Sequence, residues 1–172
     1  MNIYYIDIEE FKQTHDKEFL LQYADREFQS EKRFFEYTIG RYLVKNIAQK
    51  IYKMDECEII TDDNGKPKFA DFDLHFSLSH SKGYAVACFD ENQCGIDTEF
   101  IKERNFEKLS QHYGQNFDNA EDFYKFWTLK EASYKQGNDV KDHYTTIFKN
   151  NYYLTVTSEK IFDKHIEIIK IQ

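Results

Sequence analysis

The sequence predicts an α+β protein made of two similar α+β halves related by a pseudo-twofold axis. Apolar residues recur at strand and helix spacing in both halves of the chain. An apolar share of 41% and an aromatic share of 17% over 172 residues supply enough side-chain area for a packed core. There is also an internal repeat at an offset of 90 residues, where Ile6-Asp7-Ile8-Glu9 falls on Ile96-Asp97-Thr98-Glu99. The same offset sets Lys12, Tyr23, Glu31, Thr38 and Lys45 on Lys102, Tyr113, Glu121, Thr128 and Lys135. The halves are residues 1–90 and 91–172, expected to form one compact unit with a ligand cleft between them. The repeat sets Arg41 against Glu131, which would give that cleft a guanidinium wall and a carboxylate wall.

In chain order, rough alternation predicts a strand over residues 2–9. Helices are expected over 16–28 and 30–53. The second carries Phe34, Phe35, Ile39, Leu43, Ile47 and Ile51 near helical spacing, with Ser30 as N-cap. Asp62-Asp63-Asn64-Gly65-Lys66-Pro67 is a turn. Short strands are expected over 57–61, 73–78, 84–90 and 93–101, and helices over 104–113 and 119–136. Asn119 opens the last helix and Gly137-Asn138 closes it. The tail, 143–171, reads as two or three strands, although Lys164 to Ile171 alternates imperfectly.

Charge and composition narrow the function. Lys and Arg number 23 against 31 Asp and Glu, a net charge of −8 shared by both halves. That disfavours bulk nucleic-acid binding, which needs a basic face. No apolar run approaches the ~20 residues of a membrane span, and the N-terminus lacks the basic start of a secretory signal. Cys57, Cys88 and Cys94 lack metal-ligand spacing and read as buried thiols in a reducing cytoplasm.

Three constellations can carry chemistry. In Gly95-Ile96-Asp97-Thr98-Glu99, strand geometry sets Asp97 and Glu99 on one face, where they repel unless a cation or a proton intervenes. A solvated edge strand is the bland alternative. In Trp127-Thr128-Leu129-Lys130-Glu131-Ala132-Ser133-Tyr134-Lys135, helical spacing aligns Glu131 with Lys135, and Trp127 reads as a core anchor. An ordinary surface ion pair is the plain reading, but with Asp97 and Glu99 it makes three hard oxygen donors, a typical Mg²⁺ set. In Phe76-Ser77-Leu78-Ser79-His80-Ser81-Lys82-Gly83, nucleophilic catalysis by Ser79 or Ser81 is disfavoured because adjacent residues on a strand point apart. Phosphate contact by His80 and its neighbouring hydroxyls is the better reading, beside a merely structural turn. Gly65-Lys66-Pro67 adds a stiff turn with a cation but lacks Walker-loop spacing.

These motifs, in this order, resemble the 4′-phosphopantetheinyl transferase superfamily, nearest its two-halved Sfp-type branch. The match covers about residues 60–136, with Arg41-Tyr42-Leu43 a weaker match to the family's N-terminal Arg-bearing helix. The resemblance implies an enzyme that transfers the 4′-phosphopantetheine arm from coenzyme A to a serine of an acyl or peptidyl carrier protein and releases 3′,5′-ADP. It implies Mg²⁺ held by Asp97, Glu99 and Glu131, and nucleotide phosphates held by Arg41, Lys66, Ser79 and His80. Glu131 and Lys135 would serve catalysis, Lys135 by stabilising charge on the leaving diphosphate. The family's usual Glu between the last two motifs is missing from His112-Tyr113-Gly114-Gln115-Asn116-Phe117. The base is therefore open among Glu131, a water on the metal and Asp118. The length suggests a monomer, and the cysteines, the acidic charge and the lack of an apolar span suggest a cytoplasmic protein with no nucleic-acid or membrane partner. A non-catalytic coenzyme A or nucleotide-binding homologue, and a metal-dependent nuclease or phosphoesterase, are the competing readings.

Overall fold

A computed structural model describes residues 1–63, 65–137, 139–162 and 166–172. The chain starts on β1 (Asn2–Asp7), whose residues are buried on both faces. Tyr4 and Ile6 face a helical core, while Ile3 and Tyr5 face a second core between sheets. The strand is shorter than its alternation predicts because the Asp7 carboxylate accepts from the backbone N–H groups of Glu9 and Glu10 and opens α1 (Ile8–Thr14). The sequence reading missed α1. The expected 16–28 helix contracts to α2 (Lys17–Leu21), after which Tyr23, Ala24 and Phe28 pack irregularly against the helical core.

The long helix α3 (Glu31–Lys50) begins on Ser30, whose hydroxyl accepts from Arg33 N–H, as expected. Ile39, Leu43 and Ile47 are buried, whereas Ile51 lies beyond the last turn and is exposed. A small hairpin follows, β2 (Ile59–Thr61) and β3 (Pro67–Phe69), the latter unforeseen. Its turn closes where Lys66 N–H donates to Asp62 Oδ1; Asn64 lies outside the described residues. Strands β4 (His75–Ser81), β5 (Tyr84–Asp90) and β6 (Cys94–Phe100) come next. Helices α4 (Phe106–Tyr113) and α5 (Ala120–Gln136) then lead to β7 (Asp142–Phe148), β8 (Tyr152–Ser158) and β9 (Glu167–Lys170). Asn119 caps α5 and Gly137, at φ +100°, ends it; Asn138, part of that expected stop, and Asp163, Lys164 and His165 of the tail lie outside the described residues.

The larger sheet has the order β4-β5-β1-β9, and a second sheet the order β6-β8-β7. α3 covers the outer face of the first and α5 the outer face of the second. Val86, Cys88, Ile96, Leu154 and Val156 fill the space between the sheets. The architecture is thus mixed α+β, with layers in the order helix, sheet, sheet, helix. β9 pairs in parallel with β1, so the last strand joins the first sheet.

The sheets meet where two edge strands would otherwise leave backbone groups unpaired. Ser77, Ser79 and Ser81 share one face of β4, two residues apart. Their hydroxyls accept from the N–H groups of Ile96, Thr98 and Phe100 at 3.1, 3.3 and 3.0 Å. α5 closes on β6 from the other side at Gly95, where an added Cβ would lie 1.9 Å from the Ala132 carbonyl oxygen.

Ser77 is buried, and its hydroxyl serves the Ile96 N–H in the seam. Ser77→Ala is expected to cost about 1–3 kcal/mol by stranding that N–H. Urea unfolding measures it, and an unchanged midpoint would remove the ladder as a stabilising element.

Candidate functional site

Gly95, Asp97 and Glu99 alternate along β6 on the face that α5 covers, and each meets a different turn of that helix. Gly95 meets Ala132, Asp97 meets Lys135, and Glu99 meets Trp127. Trp127, Glu131 and Lys135 are spaced four apart, so they form one stripe of α5 above the strand. Trp127 stacks on Phe123 and packs near Tyr113, which anchors the stripe in an aromatic core, as the sequence suggested.

Asp97 is 5% exposed. Its Oδ1 accepts from Ser79 Oγ at 2.9 Å and from Lys135 Nζ at 2.7 Å, while Lys135 also donates to Ile96 O at 3.1 Å. The other oxygen, Oδ2, is buried with no hydrogen-bond partner. Glu99 accepts from Ser81 Oγ and Trp127 Nε1, both at 3.4 Å. Burial, and then the Asp97 charge, push the Glu99 carboxyl above the usual range for glutamate. An orphaned carboxylate oxygen beside a carboxyl that resists ionising fits the chemistry of a hard divalent cation, which would supply the missing partner and relieve the repulsion. Glu131 is half-buried on the same helical stripe. Among the described residues, no three His, Cys, Asp or Glu side chains are gathered into a metal cage, and Lys135 is the cation that Asp97 touches.

A cleft of about 730 Å³ opens beside these residues. Its walls come from the β2–β3 turn (Gly65, Lys66, Pro67), from β4 (Phe76, Ser77, Leu78) and from the C-terminal end of α5 (Ser133 to Gly137), with Gln93 between them. Lys66 Nζ reaches across it to Gln93 Oε1 at 2.8 Å and to the Gln136 carbonyl at 3.4 Å. Lys66 and Lys135, far apart in sequence, thus line one cavity, within the size range of small-ligand sites.

Other predicted residues stand apart from it. Arg41 does not line this cleft; it donates to Tyr37 Oη and Ile59 O and pairs with Asp25 at 3.1 Å. His80 projects toward Glu36 of α3 at 3.9 Å. Partial burial lowers its pKa below the ordinary histidine value, against the pull of Glu36, so it is a neutral donor or acceptor at pH 7 rather than a cation. Ser79 is buried, its hydroxyl committed to Asp97 and the Thr98 N–H, so it orients Asp97. Asp118, the alternative base, accepts from Asn116 Nδ2 at the start of α5. Sequence reasoning missed Gln93 and Gln136; a lone amide in a loop or at a helix end has no periodic signature.

The chain is 33% identical over 111 residues to the 4′-phosphopantetheinyl transferase Sfp of Bacillus subtilis (strain 168), covering 57% of this chain and 50% of that protein. It is 28% identical over 109 residues to the 4′-phosphopantetheinyl transferase gsp of Aneurinibacillus migulanus, covering 56% and 46%. It is 33% identical over 69 residues to the holo-[acyl-carrier-protein] synthase of Halalkalibacterium halodurans, covering 34% of this chain and 58% of that one. The chain spans about half the length of the Sfp-type relatives it matches. No protein-family profile matches it. The similarity supports the superfamily, at its Sfp-type branch, that the motifs resemble.

Protonated Glu99 is favoured in the folded chain, so its contribution to stability is fully present below the ordinary glutamate range and is lost as pH rises through its raised pKa. In chelator-treated protein, Glu99→Gln is expected to melt higher than the parent at pH 7, with the advantage shrinking toward pH 4. Melting curves at both pH values check this, and an advantage independent of pH would refute it.

Proposed function

We propose that the protein transfers the 4′-phosphopantetheine arm of coenzyme A to a serine of an acyl or peptidyl carrier protein, releasing 3′,5′-ADP. The observation that carries this reading is the orphaned Asp97 Oδ2 beside Glu99, joined through Lys135 to a cleft that Lys135 lines with Lys66. The similarity to named transferases supports it. The same reading takes residues 1–90 and 91–172 as halves related by a pseudo-twofold axis. Buried Thr38 and Thr128, equivalent at the 90-residue offset, support that symmetry: each donates to the carbonyl four residues earlier, at 2.8 Å.

In this reading Asp97, Glu99 and Glu131 would hold Mg²⁺, which would supply neutralisation and orientation of the coenzyme A diphosphate. Lys66 places the nucleotide phosphates from the cleft wall. Ser79 holds the Asp97 carboxylate in place. Glu131 takes the proton from the carrier serine hydroxyl as its oxygen attacks the β-phosphorus. The bond from that phosphorus to the bridging oxygen breaks, and Lys135 stabilises the charge arriving on the departing 3′,5′-ADP. Positioning and charge neutralisation supply most of the acceleration in phosphoryl transfer. The active form is a monomer in the cytoplasm, with a single site between the halves.

A second reading, a coenzyme A-binding homologue without turnover, is favoured by residues 112–117, which form the end of α4 and its Gly114 cap and bring no carboxylate.

With Mg²⁺ present, fluorescent coenzyme A is expected to label at least one member of a carrier-protein panel. Calorimetric binding of coenzyme A without labelling would select the second reading. Asp97→Asn, which keeps an acceptor for Ser79 and Lys135, is expected to cut labelling at least a hundredfold and to abolish the rise in Tm that Mg²⁺ gives the parent protein. A retained Mg²⁺ response would exclude Asp97 as a metal ligand.

A further inference from the structure

We infer that Lys135 is a resident counter-cation for Asp97, one that competes with a divalent ion and is drawn off by the diphosphate of the incoming ligand, so that ligand and metal are taken up together. The inference rests on the coenzyme A reading of the site. Lys135 Nζ lies 2.7 Å from Asp97 Oδ1 and 3.1 Å from the Ile96 carbonyl oxygen. The Asp97 side chain is 7% exposed and that of Lys135 28%. Lys135 lines the cleft, whereas Asp97, Glu99 and Glu131 do not. The ammonium group therefore links the cleft to the most buried of the three carboxylates. A buried carboxylate without an opposite charge is costly, and in the metal-free chain Lys135 supplies that charge.

A dication on Asp97 would share one carboxylate with that ammonium group, and like charges held together away from water repel. Lys135 has an alternative partner only when an anion enters the cleft. An ammonium group carries three hydrogens, and the bonds to Asp97 and Ile96 use two of them. The flexible four-carbon stem lets the group turn toward the cleft without any movement of α5. A diphosphate there offers it more negative charge than Asp97 does, and the exchange leaves Asp97 to the metal. Ser79 Oγ stays on Asp97 Oδ1 and keeps the carboxylate aimed while its cation changes. Lys66, on the same cleft, contacts Gln93 Oε1 and the Gln136 carbonyl, so moving it uncovers nothing on Asp97.

The test uses a reporter already in place. Trp127 is the only tryptophan of the chain, and its Nε1 donates to Glu99 Oε1, so Mn²⁺, a paramagnetic quencher, reports its arrival by dimming Trp127 fluorescence. Without coenzyme A, Lys135→Met is expected to bind Mn²⁺ about tenfold more tightly than the parent, the low end of what one adjacent charge does to an ionic equilibrium. Lys135→Gln, which keeps a polar end, is expected to behave alike. Lys66→Met is expected to change Mn²⁺ affinity less than about threefold, as a charge removed at longer range. With saturating coenzyme A, the gap between the parent and Lys135→Met is expected to shrink to about twofold, since the coupling between the two ligands runs through Lys135. A merely structural lysine would weaken Mn²⁺ binding when replaced, so equal or weaker binding by both Lys135 variants would overturn the inference. A gap that coenzyme A leaves unchanged would overturn it too. Trp127 fluorescence unmoved by Mn²⁺ in every variant, with and without coenzyme A, would instead overturn the metal-dependent reading itself.

Discussion

Three serine hydroxyls hold the two sheets in register, and the candidate site depends on that join. Ser77, Ser79 and Ser81 accept from alternate N–H groups of β6, so a row of side chains on β4 takes the place of a neighbouring strand. An edge closed in this way exposes no template for pairing with another chain. The spacing is periodic on both strands, two residues on each, so a slip of one residue would turn all three hydroxyls away from β6. The register also carries chemistry: Ser79 and Ser81 use their protons on the Asp97 and Glu99 carboxylates. One set of hydroxyls therefore joins the sheets and aims the acidic pair.

Charge in this region is balanced locally. The net charge of −8 argues against a phosphate-rich ligand when taken as a total. Its distribution removes the conflict. Asp97 is matched by Lys135, Lys66 is held by neutral amide and carbonyl oxygens, and Glu99 resists ionisation. Two ammonium groups thus reach the cleft, and only one of them is neutralised by a carboxylate among the contacts described. With Asp62 also on the wall, a diphosphate brought to this site would meet a region of balanced charge rather than the acidic average of the whole molecule.

Much of this was legible in the sequence, for identifiable reasons. Caps are short-range devices, so Ser30 and Asn119 marked the starts of α3 and α5. Strand period placed Asp97 and Glu99 on one face, and helix period aligned Glu131 with Lys135. Long-range partnership was not legible. Nothing local announces that Lys66 will meet Gln93 and Gln136, that Arg41 will be taken up by Asp25 and Tyr37, or that β9 will pair with β1. The helix α1 was hidden for another reason: Asp7 ends an alternating strand and caps a helix at once, and the alternation masked the cap.

The pairing of β9 with β1 bears on the order of assembly during synthesis. β1 leaves the ribosome well before its partner along one edge, Glu167–Lys170. Until those residues emerge, the nascent first sheet has β5 on one side of β1 and an open edge on the other. Closing that edge joins segments separated by nearly the whole chain, a contact with a large loop-closure cost that forms late. In the interval the growing chain carries an apolar strand with unpaired backbone groups, the condition under which chaperone capture or mispairing competes with folding.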